Sequence, residues 1–378
     1  ALEALQAFLP SAGRDYAAGR NFDHGPDETR TVSGLSPWIR VRLLSEPEIV
    51  QAAIQQHGEQ AAGKFIDEVC WRTYWKGWLA RRPQIWADYL KGRRIGLERW
   101  ADNADYRAAV MGRTGLECFD AWQHELVSTG YLHNHARMWF ASIWVHTLRL
   151  PWELGADFFL RHLLDGDAAS NTLSWRWVAG LQTKGKAYLA SSGNIAKYTA
   201  GRFPETPGLA DEPAPLTFKE HPTPRPLESL EESGSSGRVG LLVGEDDLGA
   251  PLWLCRESGD LPVAGFFPES AYAALEIASP VQDFRKAALR SVCPDHAYTD
   301  TEELLAWCLD QQVDTLLLAD PAVGFWDEPL EELRKHLEAE GIRLVRRRHW
   351  WDECLYPAAT HGFFRFKKSI PQALAQLP

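Results

Sequence analysis

Four short constellations in the first half of the chain combine residue types that packing alone does not call for. Thr31-Val-Ser-Gly-Leu-Ser36-Pro37 sets hydroxyls and a glycine before a proline-initiated helix. Backbone amides in such a place can hold a phosphate, and the same pattern also makes an ordinary helix cap. Glu68, Trp71, Arg72 and Trp75 fall at i, i+3, i+4 and i+7, which is one face of a helix. An acid, a base and two indoles there either line a site or pack as core beside a surface ion pair. His133-Asn134-His135-Ala-Arg137-Met138 places Asn134, Arg137 and Met138 on one side of a helix. Its two histidines stand at i and i+2, which do not face each other, and no carboxylate lies at ligand spacing, so a metal is not expected. The densest cluster runs from Asp165-Gly-Asp167 through Asn171 and Trp175 to Trp177: two acids, an amide and two indoles in thirteen residues. A loop or a cap needs far less.

Helices must carry these residues. Apolar positions recur at helical spacing at Phe65, Trp71, Trp75 and Trp78, across Leu132 to Leu148 and across Phe158 to Leu164, so residues 1–203 read as an all-helical domain. Seven prolines (204, 207, 213, 215, 222, 224, 226) and a Glu-Ser-Gly-Ser-Ser-Gly run make 204–237 a linker. Beyond it, short apolar runs (Val239–Val243, Leu252–Leu254, Thr315–Ala319, Ile342–Val345) alternate with helical stretches (Val281–Val292, Glu302–Leu309, Leu330–Glu340). That alternation predicts a smaller α/β, Rossmann-like domain with a mainly parallel sheet over 238–378. The fold class expected for the whole is mainly α.

Composition narrows the function. At 378 residues, 45% hydrophobic and 24% charged, the chain is neither collagen-like, coiled-coil nor disordered. It shows no apolar run long enough for a membrane span and no secretory signal, which points to a cytoplasmic protein without a membrane partner. The six cysteines form no CxxC pair, a poor framework for disulfides, zinc or iron–sulfur chemistry. The net charge of −11 is unevenly spread: 24 Lys+Arg against 21 Asp+Glu give +3 through Phe203, and the remaining 16 against 30 give −14. A phosphate-bearing partner therefore suits only the first part.

Taken together and in this order, the motifs resemble the flavin-binding domain of the DNA photolyase/cryptochrome family from about Tyr16 to Phe203. The run Gly130-Tyr-Leu-His-Asn-His-Ala-Arg-Met138 through Trp177 carries most of the likeness. The resemblance implies bound FAD. It implies that Tyr16 to Arg20 and Ser33, Gly34, Leu35 and Ser36 hold the FAD phosphates, with Val32 where the family usually has threonine and Thr31 as its replacement. It further implies that Phe65, Arg72, Asn134, Arg137, Asp165 and Asp167 surround the flavin and adenine, and that Asn171 lies beside flavin N5. Glu68, Trp71, Asn134, Met138 and Trp177 match the positions that line the lesion cavity of cyclobutane pyrimidine dimer photolyases. Relatives acting on (6-4) photoproducts carry a histidine pair where Asn134 and Met138 stand.

The implied activity is light-driven repair of UV-damaged DNA, in which an electron from excited reduced FAD splits a flipped-out dimer, by a protein expected to be monomeric. A tryptophan relay from Trp175 through Trp152 to Trp100 would feed the flavin. DNA would meet Arg40, Arg42, Arg81, Arg82, Lys184 and Lys186. The readings kept beside this one are a cryptochrome-like photoreceptor, a (6-4) photolyase and a flavin-free helical binding module. Family members normally carry an antenna domain of α/β type before the flavin domain, whereas here the α/β segment comes after it. A permuted arrangement is expected, and the sequence does not decide whether a second, antenna chromophore binds there.

Overall fold

The computed structural model describes residues 1–26, 32–230, 237–258 and 261–377. Among them no strand occurs before Val239. Local chemistry explains where the helices start: Ser45 and Glu48 form a reciprocal capping box on the helix Glu46–His57, and Asn103, Asp167 and Ser191 each accept an amide at a helix N-terminus. Gly58, at φ +76°, breaks the chain between that helix and the long central helix Glu59–Ala80. The central helix buries Phe65, Ile66, Val69, Tyr74 and Trp78 and keeps its Glu68–Trp71–Arg72 face toward a hollow. The stretch expected as one helix over Leu132 to Leu148 is Asn134–Ser142 followed by a single π turn, Ile143–Thr147. Several of the seventeen tryptophans are plain core, for Trp122, Trp139 and Trp144 are fully buried.

The later part contains five parallel strands, β1 (Val239–Gly244), β2 (Val263–Phe266), β3 (Ala297–Tyr298), β4 (Thr315–Ala319) and β5 (Arg343–Arg347), in the order β3-β2-β1-β4-β5. Leu241 stands opposite Val263 on one side and Leu317 on the other, so the strand order reverses direction at β1. Inner strands covered on both faces need unbroken apolar runs, which β1 and β4 have. One expected strand is a helix: Leu252–Leu254 lies within Ala250–Ser258, where Leu252 is 64% exposed. Three apolar residues cannot separate the two structures, and Pro251 suits a first helical turn. The short strands β2 and β3 left no readable period.

Chain segments 204–230 contain neither helix nor strand and run along the helical part, with Arg225 N donating to Arg81 O. After β5 the chain returns to the central helix through Trp350–Leu355, Phe363–Phe366 and Ile370–Leu374. There Trp351 Nε1 donates to Thr73 Oγ1 at 3.0 Å and Tyr74 Oη to His361 O at 2.7 Å. Phe363 lies flat on Trp71, 3.8 Å between centroids and 8° between planes. No helix among the described residues is long and apolar enough to cross a membrane.

Candidate functional site

A cavity of about 550 Å³ opens in the helical part, and all four sequence constellations reach it. The central helix contributes Phe65, Glu68, Trp71, Arg72 and Trp75. Asn134, Arg137 and Met138 enter from Asn134–Ser142, and Asn171, Trp175 and Trp177 from Ala168–Val178. Tyr16, Val32, Ser33, Gly34 and Ser36 complete the wall.

Each side chain has a reason for its place. Asp167 caps its own helix, accepting from Ser170 N at 2.8 Å, which fixes the phase of Asn171, Ser174 and Trp175. Asn171 Nδ2 donates to Ala156 O at 2.7 Å, leaving its amide oxygen uncommitted to that bond. Gly155 lets the Trp175 indole lie against the helix Trp152–His162, since a Cβ there would stand 2.3 Å from the ring. Arg137 Nε donates to Leu132 O at 2.8 Å and its Nη2 to Asp165 Oδ2 at 2.9 Å. Arg72 Nη1 stands 3.0 Å from Asp167 Oδ2. Tyr16 meets Phe65 edge-on at 5.2 Å.

The electrostatics are uneven. Burial alone would raise the Asp167 carboxyl, but Arg72, Lys76 and Arg40 overrule it and hold it at about 2. Burial raises Glu68 above the usual carboxylate range although Arg20 Nη1, 2.6 Å away, pulls it down. Asp165 Oδ1 and Trp175 Nε1 are buried without a hydrogen-bond partner among the described residues, a cost that a bound polar group would remove. Of the paired histidines, His133 Nδ1 caps its helix by accepting from His135 N, and His135 stacks on Trp139. Burial pushes His133 down to about 4.

Several expected residues lie elsewhere. Leu35 is fully buried, and its amide donates to Ser33 Oγ at 3.3 Å, so it does not face the cavity. Of the expected relay, Trp175 lies on the cavity wall and packs edge-on against Phe159 at 5.0 Å, whereas Trp152 is buried beside Tyr89 at 6.0 Å and Trp100 is half-buried at the end of Gln84–Trp100. Arg40 and Arg42 are not at a DNA surface. They are 2% and 6% exposed: Arg40 pairs with Asp246, and Arg42 with Glu46, Asp247 and Asp352, so no phosphate reaches them. Arg82 is also turned inward, donating to Pro222 O and Thr360 O. Lys184 and Lys186 are exposed. Thr31 lies outside the described residues. Missed in the sequence were Tyr131, Phe159, Ser170 and Ser174 on the wall; Ser174, three residues after Asn171 on the same helix, was open to detection by spacing.

Residues 65–199 match the family described as the FAD binding domain of DNA photolyase. A deoxyribodipyrimidine photo-lyase of Streptomyces griseus is 38% identical over 181 residues, covering 47% of this chain and 38% of that protein. One from Thermus thermophilus is 36% identical over 194 residues, covering 50% and 44%. The chain thus spans less than half the length of these relatives. Among solved structures, a bacterial class III photolyase from Agrobacterium tumefaciens superposes with a TM-score of 0.44 at 25% identity, over 53% of this chain and 42% of that one. Residues 65–199 of this chain thus match an FAD-binding domain of DNA photolyase, and its helical part is similar in sequence to deoxyribodipyrimidine photo-lyases.

Proposed function

We propose that the protein is a deoxyribodipyrimidine photolyase that uses light and bound FAD to split cyclobutane pyrimidine dimers in DNA. One observation carries the reading: Glu68, Trp71, Asn134, Met138 and Trp177 share a single cavity with Arg72, Arg137, Asp165, Asp167 and Asn171. The cavity suits a dinucleotide with a flat ring system, because its wall combines indole faces with the unpartnered Asp165 Oδ1 and Trp175 Nε1. Tyr16, Arg20, Ser33, Gly34 and Ser36 would hold its phosphates, and Phe65, Arg72, Asn134, Arg137, Asp165, Asp167 and Asn171 its rings. When bound, FAD supplies photoexcited one-electron chemistry.

The chain's own residues do the rest. Trp71 and Trp177 offer apolar faces to a lesion that stacks poorly in the duplex and is cheaply extruded. Glu68, whose carboxyl keeps its proton more readily than a free one, would hydrogen-bond the pyrimidine carbonyls as negative charge develops on them. Asn134 would add an amide contact and Met138 a soft thioether surface. Arg137 and Arg72 keep positive charge beside the ring site, which favours an anionic group there. Trp175, Trp152 and Trp100 remain the proposed relay, and Lys184 and Lys186 the proposed phosphate contacts. We also propose the division 1–203, 204–237 and 238–378, with the α/β part as a permuted antenna-type domain; the all-parallel order β3-β2-β1-β4-β5 supports it.

The test is the absorption spectrum of the purified protein, followed by illumination with dimer-containing oligonucleotides. Flavin colour and dimer loss under blue light, absent in darkness, are expected. Full flavin loading with photoreduction but no dimer turnover would favour a cryptochrome-like photoreceptor instead, and repair restricted to (6-4) photoproducts would move the lesion assignment.

A further inference from the structure

We infer that Arg285, carried by the α/β part, is a positioning residue for the Asp165–Gly166–Asp167 loop, so that the flavin site is incomplete without the α/β part. The inference rests on the FAD reading above. Gly166 O accepts from two guanidinium groups, Arg40 Nε at 3.0 Å and Arg285 Nη2 at 2.5 Å. Both arginines are buried, and neither lines the cavity. Arg285 is itself held: its Nη1 donates to the Tyr272 hydroxyl, which donates to Glu245, and Glu245 also accepts from the Trp326 indole. Arg40 is held from the same side by Asp246. Next to Phe325, whose ring lies 5.2 Å from the Arg285 guanidinium, Gly324 takes φ +143° and approaches so closely that a Cβ there would stand 2.5 Å from Ala168 Cβ. The α/β part thus grips the loop at the residue between the two aspartates and at the residue that follows them.

The mechanism is geometric. A carbonyl with two charged donors has one direction, and the planar peptide that contains it fixes the backbone leading into Asp167. The backbone of the preceding helix also lies close to Gly166, since a Cβ on it would meet Leu163 O at 3.1 Å and Leu160 O at 3.2 Å. Asp165 is thereby left toward Arg137 with Oδ1 unpartnered, and Asp167 toward Arg72. Release of the carbonyl would let both carboxylates drift although neither touches Arg285.

The experiment uses the full chain stripped of flavin and titrated with FAD, with the spectrum and reduction potential of the bound flavin recorded for each variant. Arg285→Ala is expected to weaken FAD binding about tenfold or more and to shift the flavin spectrum and potential. Arg285→Lys should restore binding only in part, because a point-like ammonium cannot reach both Tyr272 and Gly166. Arg161→Gln, which breaks another contact to the α/β part through Glu276 O without touching the loop, should leave affinity, spectrum and potential unchanged. Should Arg285→Ala fail to fold, Asp246→Asn loosens Arg40 instead and is expected to weaken binding about threefold. Unchanged affinity, spectrum and potential in a folded Arg285→Ala or Asp246→Asn protein would overturn the inference, even with a lowered melting temperature. A wild-type chain that takes up no FAD overturns the flavin reading itself, so the two failures are told apart.

Discussion

Arginines meet carboxylates in two regions of this molecule, and the outcomes differ. Where the α/β part closes on the helical part, Arg42 has three carboxylate partners, Glu46 at 3.0 Å, Asp247 at 3.2 Å and Asp352 at 2.6 Å, all buried. At the cavity, Arg137 has one carboxylate, Asp165, which keeps an unpartnered oxygen among the described residues. A guanidinium shared among three carboxylates closes a joint; one that meets a single carboxylate beside a hollow leaves charge available to a bound group. The same contrast explains why positive charge in the sequence misleads: Arg40 and Arg42 neutralise the acidic triplet Glu245-Asp246-Asp247 and are spent before any external anion arrives.

The largest effect is expected at the joint. Arg42→Ala strands three buried carboxylates and should cost about 3–5 kcal/mol of stability by denaturant titration; a loss near that of an exposed pair would erase the contrast. Acid should act on both regions. His133 near the cavity and His349 beside Arg42 are both held neutral by burial, each down at about 4. Because the unfolded chain protonates near 6.5, stability is complete above that pH and falls as pH drops from 6.5 through 4, by at most about 3 kcal/mol per histidine. Melting temperature against pH, repeated with His349→Gln, separates the joint's share from the cavity's.

On the cavity side, Trp71→Ala and Asn134→Ala should each lower dimer repair about tenfold while flavin absorbance stays; loss of flavin with full folding would place those residues on the cofactor instead. The smallest effect belongs to the exposed cations. Lys184→Ala and Lys186→Ala should each reduce the slope of log K for DNA against log salt by about one, with no change in melting temperature. Arg40 and Arg42 variants should show the reverse pattern.

The sequence made the helical site legible because its chemistry is local. Glu68, Trp71 and Arg72 lie within one helical turn, as do Asn134, Arg137 and Met138, so spacing alone puts them on common faces. Asp167 caps the helix that carries Asn171, and Asp165 stands two residues before that cap. The alternation after 238 also announced a parallel sheet, with β1, β4 and β5 near their expected places. What stayed hidden depends on long-range partners. Beyond Glu46, four residues from Arg42, nothing near Arg40 or Arg42 indicates that their other acids lie some two hundred or more positions onward, at 246, 247 and 352. Arg285 looks like any surface cation on an amphipathic helix until Gly166 is brought to it. Leu252–Leu254 failed for another reason, since three apolar residues fit either period.

Phe363 backing Trp71 has a bearing on biogenesis. As the chain leaves the ribosome, the helices that frame the hollow emerge long before the aromatic that braces one of its indoles. Nascent chains halted after the helical part would carry that indole unsupported, so the hollow gains this brace only once Phe363 has been made.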